Sequence, residues 1–138
     1  MNYWLVKSEP NTWSWDDQVQ AGSTGWDGVR NAQASNNMKK MKQGDQALFY
    51  HSGKQRAVVG IVEIAKEYHP DPTDASGKFG QVSVKTLKPL PQPVTLQQIK
   101  AEPAMQDLAL VRQPRLSVMP VAKKQFDRIC KLAGTGDG

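Results

Sequence analysis

The residues with the clearest chemical potential lie between Trp26 and His51, where an aromatic residue, amides and lysines follow one another. Trp26 stands beside an Asp27-Gly28 turn, in which glycine supplies the positive φ that a sharp reversal needs. Side-chain amides, which donate and accept hydrogen bonds at once, follow at Asn31, Asn36 and Asn37. An aromatic surface, amides and cations together suit a planar polar ligand that carries phosphate.

The positive charge of the chain is concentrated in the same region. The formal net charge is +5, from 18 Lys and Arg against 13 Asp and Glu. Between residues 30 and 56 the only acid is Asp45, and the six basic residues are Arg30, Lys39, Lys40, Lys42, Lys54 and Arg56. Such a local excess attracts polyanions, with nucleic acid as the leading partner class. A solvated basic helix face explains the charge equally well.

Length and composition place the chain among ordinary globular proteins. We expect residues 1–138 to form one domain with a full hydrophobic core. No apolar run approaches the roughly 20 residues that a membrane span needs, and the N-terminal sequence predicts no signal peptide. The single cysteine, Cys130, excludes an internal disulfide. We therefore expect a reducing compartment, the cytoplasm, or the nucleus if the source is eukaryotic.

Enzymatic interpretations find little support in the sequence. Cys130 falls on the apolar stripe of a predicted helix, where cysteine behaves as a small hydrophobe. His51 and His69 have no Cys or His at metal-ligand spacing. Neither a phosphate-cradling glycine loop nor a nucleophile elbow is present. The sequence predicts no catalytic residue, no metal and no cofactor.

The pattern of strands and helices predicts an α+β fold, a small, partly closed β-barrel with helices packed on it. Strands are expected at residues 3–7, 46–51, 57–68, 79–87 and 116–119, and residues 22–25 are expected to form a loop. Gly60 inside the longest strand indicates a bulge or a close backbone approach. Pro89 to Pro93 should take the chain out of the sheet. Pro120 suits the first position of the last helix.

The roles predicted for the aromatic residues depend on the sequence around them. Tyr3, Trp4 and Phe49 are predicted in the core. Trp13 and Trp15 are predicted to anchor the first helix, although one of them could line a groove. For Trp26, in a glycine-flanked loop, stacking on a ligand is favoured over plugging a barrel end. For Tyr50 and His51, at a strand end, a place at the barrel mouth and a structural role are equally supported.

Several segments of the chain closely resemble the EVE domain family. They are Tyr-Trp-Leu-Val-Lys-Ser-Glu-Pro (residues 3–10), Trp-Asp-Gly-Val-Arg-Asn (26–31), Asn-Asn-Met-Lys (36–39), Gly-Asp…Phe-Tyr-His-Ser (44–52), Gly-Ile-Val-Glu (60–63) and Asp71-Pro72. The resemblance implies a PUA-like fold, related to YTH domains that bind N6-methyladenosine in RNA. It also implies binding of modified bases in DNA or RNA.

The resemblance further implies which residues form the pocket. The expected ligand-binding residues are Lys7, Ser8, Trp26, Asn31, Asn37, Tyr50 and His51. The six basic residues named above would hold the phosphate backbone without reading sequence. A flipped or single-stranded nucleotide would stack on Trp26 while an asparagine reads the base edge.

Two other classes of function stay open at this point. The main alternative is a small protein- or metabolite-binding adaptor that makes no contact with nucleic acid. A hydrolase acting on a modified nucleotide comes third.

Overall fold

A computed structural model describes residues 1–134 of the chain. The strands are β1 (Tyr3–Ser8), β2 (Ser23–Gly25), β3 (Gln46–His51), β4 (Ala57–Pro70), β5 (Gly80–Thr95) and β6 (Val118–Val121). The helices are α1 (Trp15–Ala21), α2 (Ala32–Lys39), α3 (Leu96–Lys100), α4 (Ala109–Arg112) and α5 (Lys123–Leu132), with a short 3-10 turn at Pro103–Met105. The predicted α+β class is confirmed.

Within these 134 residues all the strands join one sheet in the order β2-β5-β4-β3-β1-β6. β1 and β3 run parallel, because the chain between them crosses over through α1, β2 and α2. The apolar Trp4, Leu5 and Val6 place β1 between β3 and β6, where all three side chains are buried. The predicted core positions of Trp4 and Phe49 are confirmed, and Tyr3 is partly buried against Phe126 of α5.

The predicted closure into a barrel is wrong, because the sheet remains open. α2 contacts β6 at one edge of the sheet and also β4 and β5 near the other, so the sheet curves around this helix. The edges β2 and β6 nevertheless do not pair in the described chain. They are three and four residues long and pair only with β5 and β1, respectively. An open gap therefore remains between the β2 edge and the β1–β6 edge.

The structure also corrects three local predictions. Residues 23–25 form β2 and not a loop; the strand is too short for a periodic signal. β5 continues to Thr95. Pro89 still pairs with Gly60, residues 90–93 bulge opposite Val59 and take Pro91 and Pro93 out of the ladder, and pairing resumes at Val94. Pro120 belongs to the edge strand β6, where a missing N–H is tolerated, and α5 begins at Lys123.

Both features predicted for Gly60, a bulge and a close approach to its backbone, are confirmed. The β3–β4 register shifts at Phe49 and Tyr50, opposite Gly60 and Val58, which makes a bulge. A Cβ atom built on Gly60 would also overlap the six-membered ring of Trp15. The ring of Trp15 in turn meets Phe49 edge-on, with centroids 5.2 Å apart. The absent side chain at position 60 therefore lets α1 pack directly on the sheet.

We expect Gly60→Ala to lower the free energy of unfolding by about 1–3 kcal/mol, because the new methyl group overpacks against Trp15. Urea denaturation measures the loss. In a Trp15→Leu background the same substitution should cost clearly less, since the clashing ring is gone. Equal costs in the two backgrounds would contradict this account of Gly60.

Candidate nucleic-acid interface

A cavity of about 530 Å³ opens in the gap between the two edges of the sheet. Its walls are the end of β1 and the turn after it (residues 7–9, 12 and 13), the segment from β2 into α2 (24–31), and Ser117 just before β6. Ligand sites of small molecules commonly occupy about 300–1,000 Å³. The cavity is therefore large enough to take a nucleobase with part of its sugar.

Two tryptophans contribute to the cavity wall. Trp26 is only 8% exposed, and its ring meets Phe49 edge-on with centroids 5.5 Å apart. Its backbone N–H donates to the Val82 carbonyl at 2.7 Å, which extends the β2–β5 pairing by one residue. Trp13 is partly buried, and its Nε1–H donates to Gln18 Oε1 at 2.9 Å. Both rings are held by packing or by a hydrogen bond and offer fixed apolar surfaces.

The loop that carries Trp26 is held by the carboxylate of Asp71, which is 3% exposed. Asp71 Oδ2 accepts from the Gly28 N–H at 2.9 Å and from Arg30 Nη1 at 3.0 Å, and Oδ1 accepts from the Thr73 N–H and hydroxyl at 2.7 and 2.6 Å. Gly28 has the positive φ of 76° that the Asp27-Gly28 turn predicted. Burial alone would raise the pKa of Asp71, but these hydrogen bonds together hold it well below its ordinary value.

At the opposite wall, the end of β1 holds the turn that carries Trp13. The Ser8 hydroxyl donates to the Trp13 carbonyl, so this buried side chain positions a wall of the cavity. Lys7 Nζ donates to the Pro114 carbonyl at 2.8 Å and lies 5.7 Å from the centre of the Tyr50 ring. Burial lowers the pKa of Lys7. These contacts tie β1 to the segment that leads into β6.

The structure brings four of the seven predicted ligand-binding residues to the cavity, namely Lys7, Ser8, Trp26 and Asn31. Asn31 is the N-cap of α2: its Oδ1 accepts from the Ala34 N–H at 2.9 Å, which leaves its NH₂ group as a donor.

Asn37, Tyr50 and His51 do not line the cavity. Asn37 Nδ2 donates to the Val118 carbonyl at 2.7 Å and joins α2 to β6. His51 Nε2 accepts from the Trp15 N–H at 2.9 Å, and its Nδ1 lies 2.7 Å from Gln55 Oε1, so both ring nitrogens are occupied at the start of α1. Tyr50 is 3% exposed, and burial raises the pKa of its hydroxyl despite the charge of Arg56.

Of the six predicted phosphate-binding residues, Arg30 alone lines the cavity. Lys39, Lys40 and Lys42 lie at or beyond the C-terminal end of α2, about 12 Å along the helix from Asn31. Lys54 and Arg56 are exposed in the β3–β4 turn. That turn adjoins the cavity, because a Cβ built on Gly53 would lie 2.7 Å from Oε2 of the cavity-lining Glu9.

Several cavity residues went unrecognised in the sequence. Glu9 and Asp27 belong to the family motifs, and Asp27 also to the predicted turn, but neither is predicted to contact a ligand; Ser117 carries no signal at all. Trp13 is different, because the sequence allows one tryptophan of the predicted first helix to line a groove. Asp71 was visible only as part of a family motif, and nothing local in the sequence connects it to Gly28 and Arg30.

Candidate metal ligands do not cluster in the part of the chain that the structure describes. Within residues 1–134, no group of three or more His, Cys, Asp or Glu side chains is placed to hold a metal ion. Cys130 is buried on α5, on the face that the sequence predicted as apolar. None of the helices in this part of the chain is long and apolar enough to cross a membrane.

Comparison with known proteins gives consistent matches over nearly the whole chain. The family model of the EVE domain matches residues 2–132. Thymocyte nuclear protein 1 of Mus musculus is 35% identical, over 97% of this chain and 74% of the relative. The crystal structure of protein Atu2648 from Agrobacterium tumefaciens is 44% identical with a TM-score of 0.96, covering 100% of this chain and 97% of that one.

Two solved structures with bound nucleic acid are also similar. The human THYN1 protein in complex with DNA that contains 5-methylcytosine is 29% identical, with a TM-score of 0.88 over 98% of this chain and 99% of that one. The YTH domain of Zygosaccharomyces rouxii MRB1, in complex with N6-methyladenosine RNA, has a TM-score of 0.62 over 96% of this chain and 86% of that one. At 16% identity the second likeness supports the predicted relation of the folds alone.

We expect Asp71→Asn to lower the free energy of unfolding by about 2 kcal/mol at neutral pH, because an amide cannot accept all four hydrogen bonds. Since the folded-state pKa is depressed, the contribution of Asp71 is complete above the unfolded pKa of about 4 and is lost as the pH falls below it. Urea denaturation at pH 7 and pH 3 should therefore show a smaller gap between variant and parent at pH 3.

Asp16→Asn serves as the control, because Asp16 is exposed in the first turn of α1. Its effect should stay within the roughly 1 kcal/mol of a helix-dipole contact. A gap for Asp71→Asn that is the same at both pH values would contradict the assignment.

Proposed function

The chain belongs to the EVE domain family, and we propose that it is a non-catalytic reader of a modified base in nucleic acid, with 5-methylcytosine in DNA as the first candidate. The proposal rests on one observation above all: a nucleobase-sized cavity, walled by Trp13 and Trp26, in the gap of the sheet. The human THYN1 complex adds the candidate ligand, because that relative covers 98% of this chain. Residues 1–138 act as a single domain in this proposal.

In the proposed mechanism a nucleotide that is flipped or already single-stranded enters the gap base first. Its ring stacks on the tryptophan wall, and the NH₂ group of Asn31 is available as a donor to the base edge. A methyl group on the pyrimidine lies against the apolar wall. One methyl group contributes only about 1–3 kcal/mol in a pocket, so the preference over unmodified cytosine is modest.

The phosphates remain outside the cavity and contact basic residues at its rim. Lys54 and Arg56 are exposed beside the Glu9 wall, and Arg30 is at the cavity itself. Such contacts add affinity without reading sequence and release counterions on binding. Lys39, Lys40 and Lys42 would be reached by a longer oligonucleotide that follows α2 away from the cavity.

We expect Trp26→Ala to weaken binding of a single-stranded DNA oligonucleotide that contains one 5-methylcytosine. The loss of stacking should cost roughly 1–3 kcal/mol, or about 5- to 150-fold in Kd. Fluorescence anisotropy of labelled oligonucleotides measures it, with unmodified, 5-hydroxymethylcytosine and N6-methyladenine versions alongside and RNA counterparts. Trp26→Phe, which keeps an aromatic surface, should retain most of the affinity. Unchanged binding by Trp26→Ala would sink the stacking mechanism.

A salt titration tests the phosphate contacts separately. The parent should lose affinity as salt rises, and Lys54→Gln should reduce the slope of log K against log salt by about 1. Lys124→Gln is the matched control, because Lys124 is exposed on α5, which packs at the Tyr3 end of β1. Binding that does not change with salt would favour the adaptor function instead.

A further inference from the structure

We infer that Asp27 is the residue that distinguishes 5-methylcytosine from thymine, an inference that rests on the proposed function. Thymine carries the same methyl group at C5, so an apolar wall cannot tell the two bases apart. They differ at position 4, where cytosine presents an N4–H₂ donor and thymine an O4 acceptor. A reader of 5-methylcytosine therefore needs a group at position 4 that accepts a hydrogen bond and does not donate one.

Asp27 is the side chain in the cavity that meets this requirement. It follows Trp26 directly and lines the cavity, and its carboxylate makes no hydrogen bond or ion pair within the described residues. An ionised carboxylate only accepts hydrogen bonds. It would accept from N4–H₂ of cytosine and repel O4 of thymine.

The other acceptors at the cavity are less suited to this role. The hydroxyls of Thr12, Thr24 and Ser117 donate as readily as they accept, so they accommodate either base. The oxygen of Asn31 is already engaged as the cap of α2. Glu9 is directed elsewhere: its Oε1 accepts from the Asn11 N–H at 3.2 Å, and its Oε2 lies over Gly53.

The position of Asp27 in the loop supports the same conclusion. Its neighbour Gly28 is fixed by the hydrogen bond to Asp71, and Trp26 by its bond to Val82 and its packing on Phe49. The backbone is therefore held on both sides of a side chain that is itself exposed and unpaired. A base stacked on Trp26 would place its edge beside the next residue of the chain.

The test compares oligonucleotides that are identical except at one position, which carries 5-methylcytosine, cytosine, thymine or 5-methylpyrimidin-2-one, the last with the methyl group but no 4-amino group. Anisotropy gives the ratio of the thymine Kd to the 5-methylcytosine Kd. We expect about tenfold or more for the parent, as for other good polar base contacts. For Asp27→Asn the ratio should fall to about threefold or less, because the amide can also donate to O4.

The expected change is mainly a gain of thymine binding, which misfolding cannot produce. The parent should also bind 5-methylpyrimidin-2-one more weakly than 5-methylcytosine, and Asp27→Asn should show a smaller difference. Asp16→Asn, the same carboxylate-to-amide change at an exposed residue of α1 that does not line the cavity, should keep the parent's ratio.

The remaining outcomes separate the two proposals. If the parent prefers 5-methylcytosine to both cytosine and thymine and Asp27→Asn keeps the ratio, the role of Asp27 is overturned and the reader function stands. A parent that prefers 5-methylcytosine to cytosine but binds thymine equally overturns the role of Asp27 as well. If the parent shows no preference for 5-methylcytosine over cytosine, the 5-methylcytosine proposal fails and the inference fails with it.

Discussion

The buried carboxylate of Asp71 accepts hydrogen bonds from two loops that are distant in the sequence, and the shape of the cavity depends on this contact. Through the Gly28 N–H and the Arg30 guanidinium it fixes the turn between β2 and α2, and through Thr73 it fixes its own loop. A buried charge is tolerated only where donors surround it, so neither loop can move without exposing an unpaired group. Trp26 and Asp27 are therefore presented on a rigid backbone.

The same logic extends to the other wall of the cavity. Ser8 holds the Trp13 carbonyl, His51 holds the N-terminus of α1, and the missing side chain of Gly60 lets Trp15 lie on the sheet. The first two contacts join the ends of β1 and β3 to the turn before α1 and to its first residue, and the third packs α1 against the inside of β4. Although the sheet is not closed, the gap between its edges has rigid walls, because buried polar contacts tie both walls to the strands. A preformed cavity binds its ligand with a smaller ordering cost than a flexible one.

Much of this architecture could be predicted from the sequence, because it depends on local signals. The apolar runs at β1, β3 and β4, the turn at Gly28 and the close approach at Gly60 all follow from residue type and spacing. The set of residues that line the cavity could not be predicted, because it depends on contacts between distant parts of the chain. His51 and Asn37 carry polar groups as suitable for binding a base as those of Asn31. His51, however, accepts from the first N–H of α1, and Asn37 joins α2 to β6. Only the tertiary structure decides which polar groups remain available.

For the charged residues, too, the sequence predicts the kind of partner but not where the charges lie in the structure. The basic segment predicts a polyanion as partner class, but most of its lysines lie at or beyond the far end of α2. The cavity itself is lined by Glu9 and Asp27 as well as Lys7 and Arg30, and Arg30 is paired with Asp71. These two carboxylates oppose the entry of a phosphate, whereas the unpaired carboxylate of Asp27 is an acceptor suited to the amino group of a base. Under the proposed function, the charge pattern favours a nucleotide that enters base first and leaves its backbone on the basic rim. Affinity and selectivity would then arise at different places in the protein.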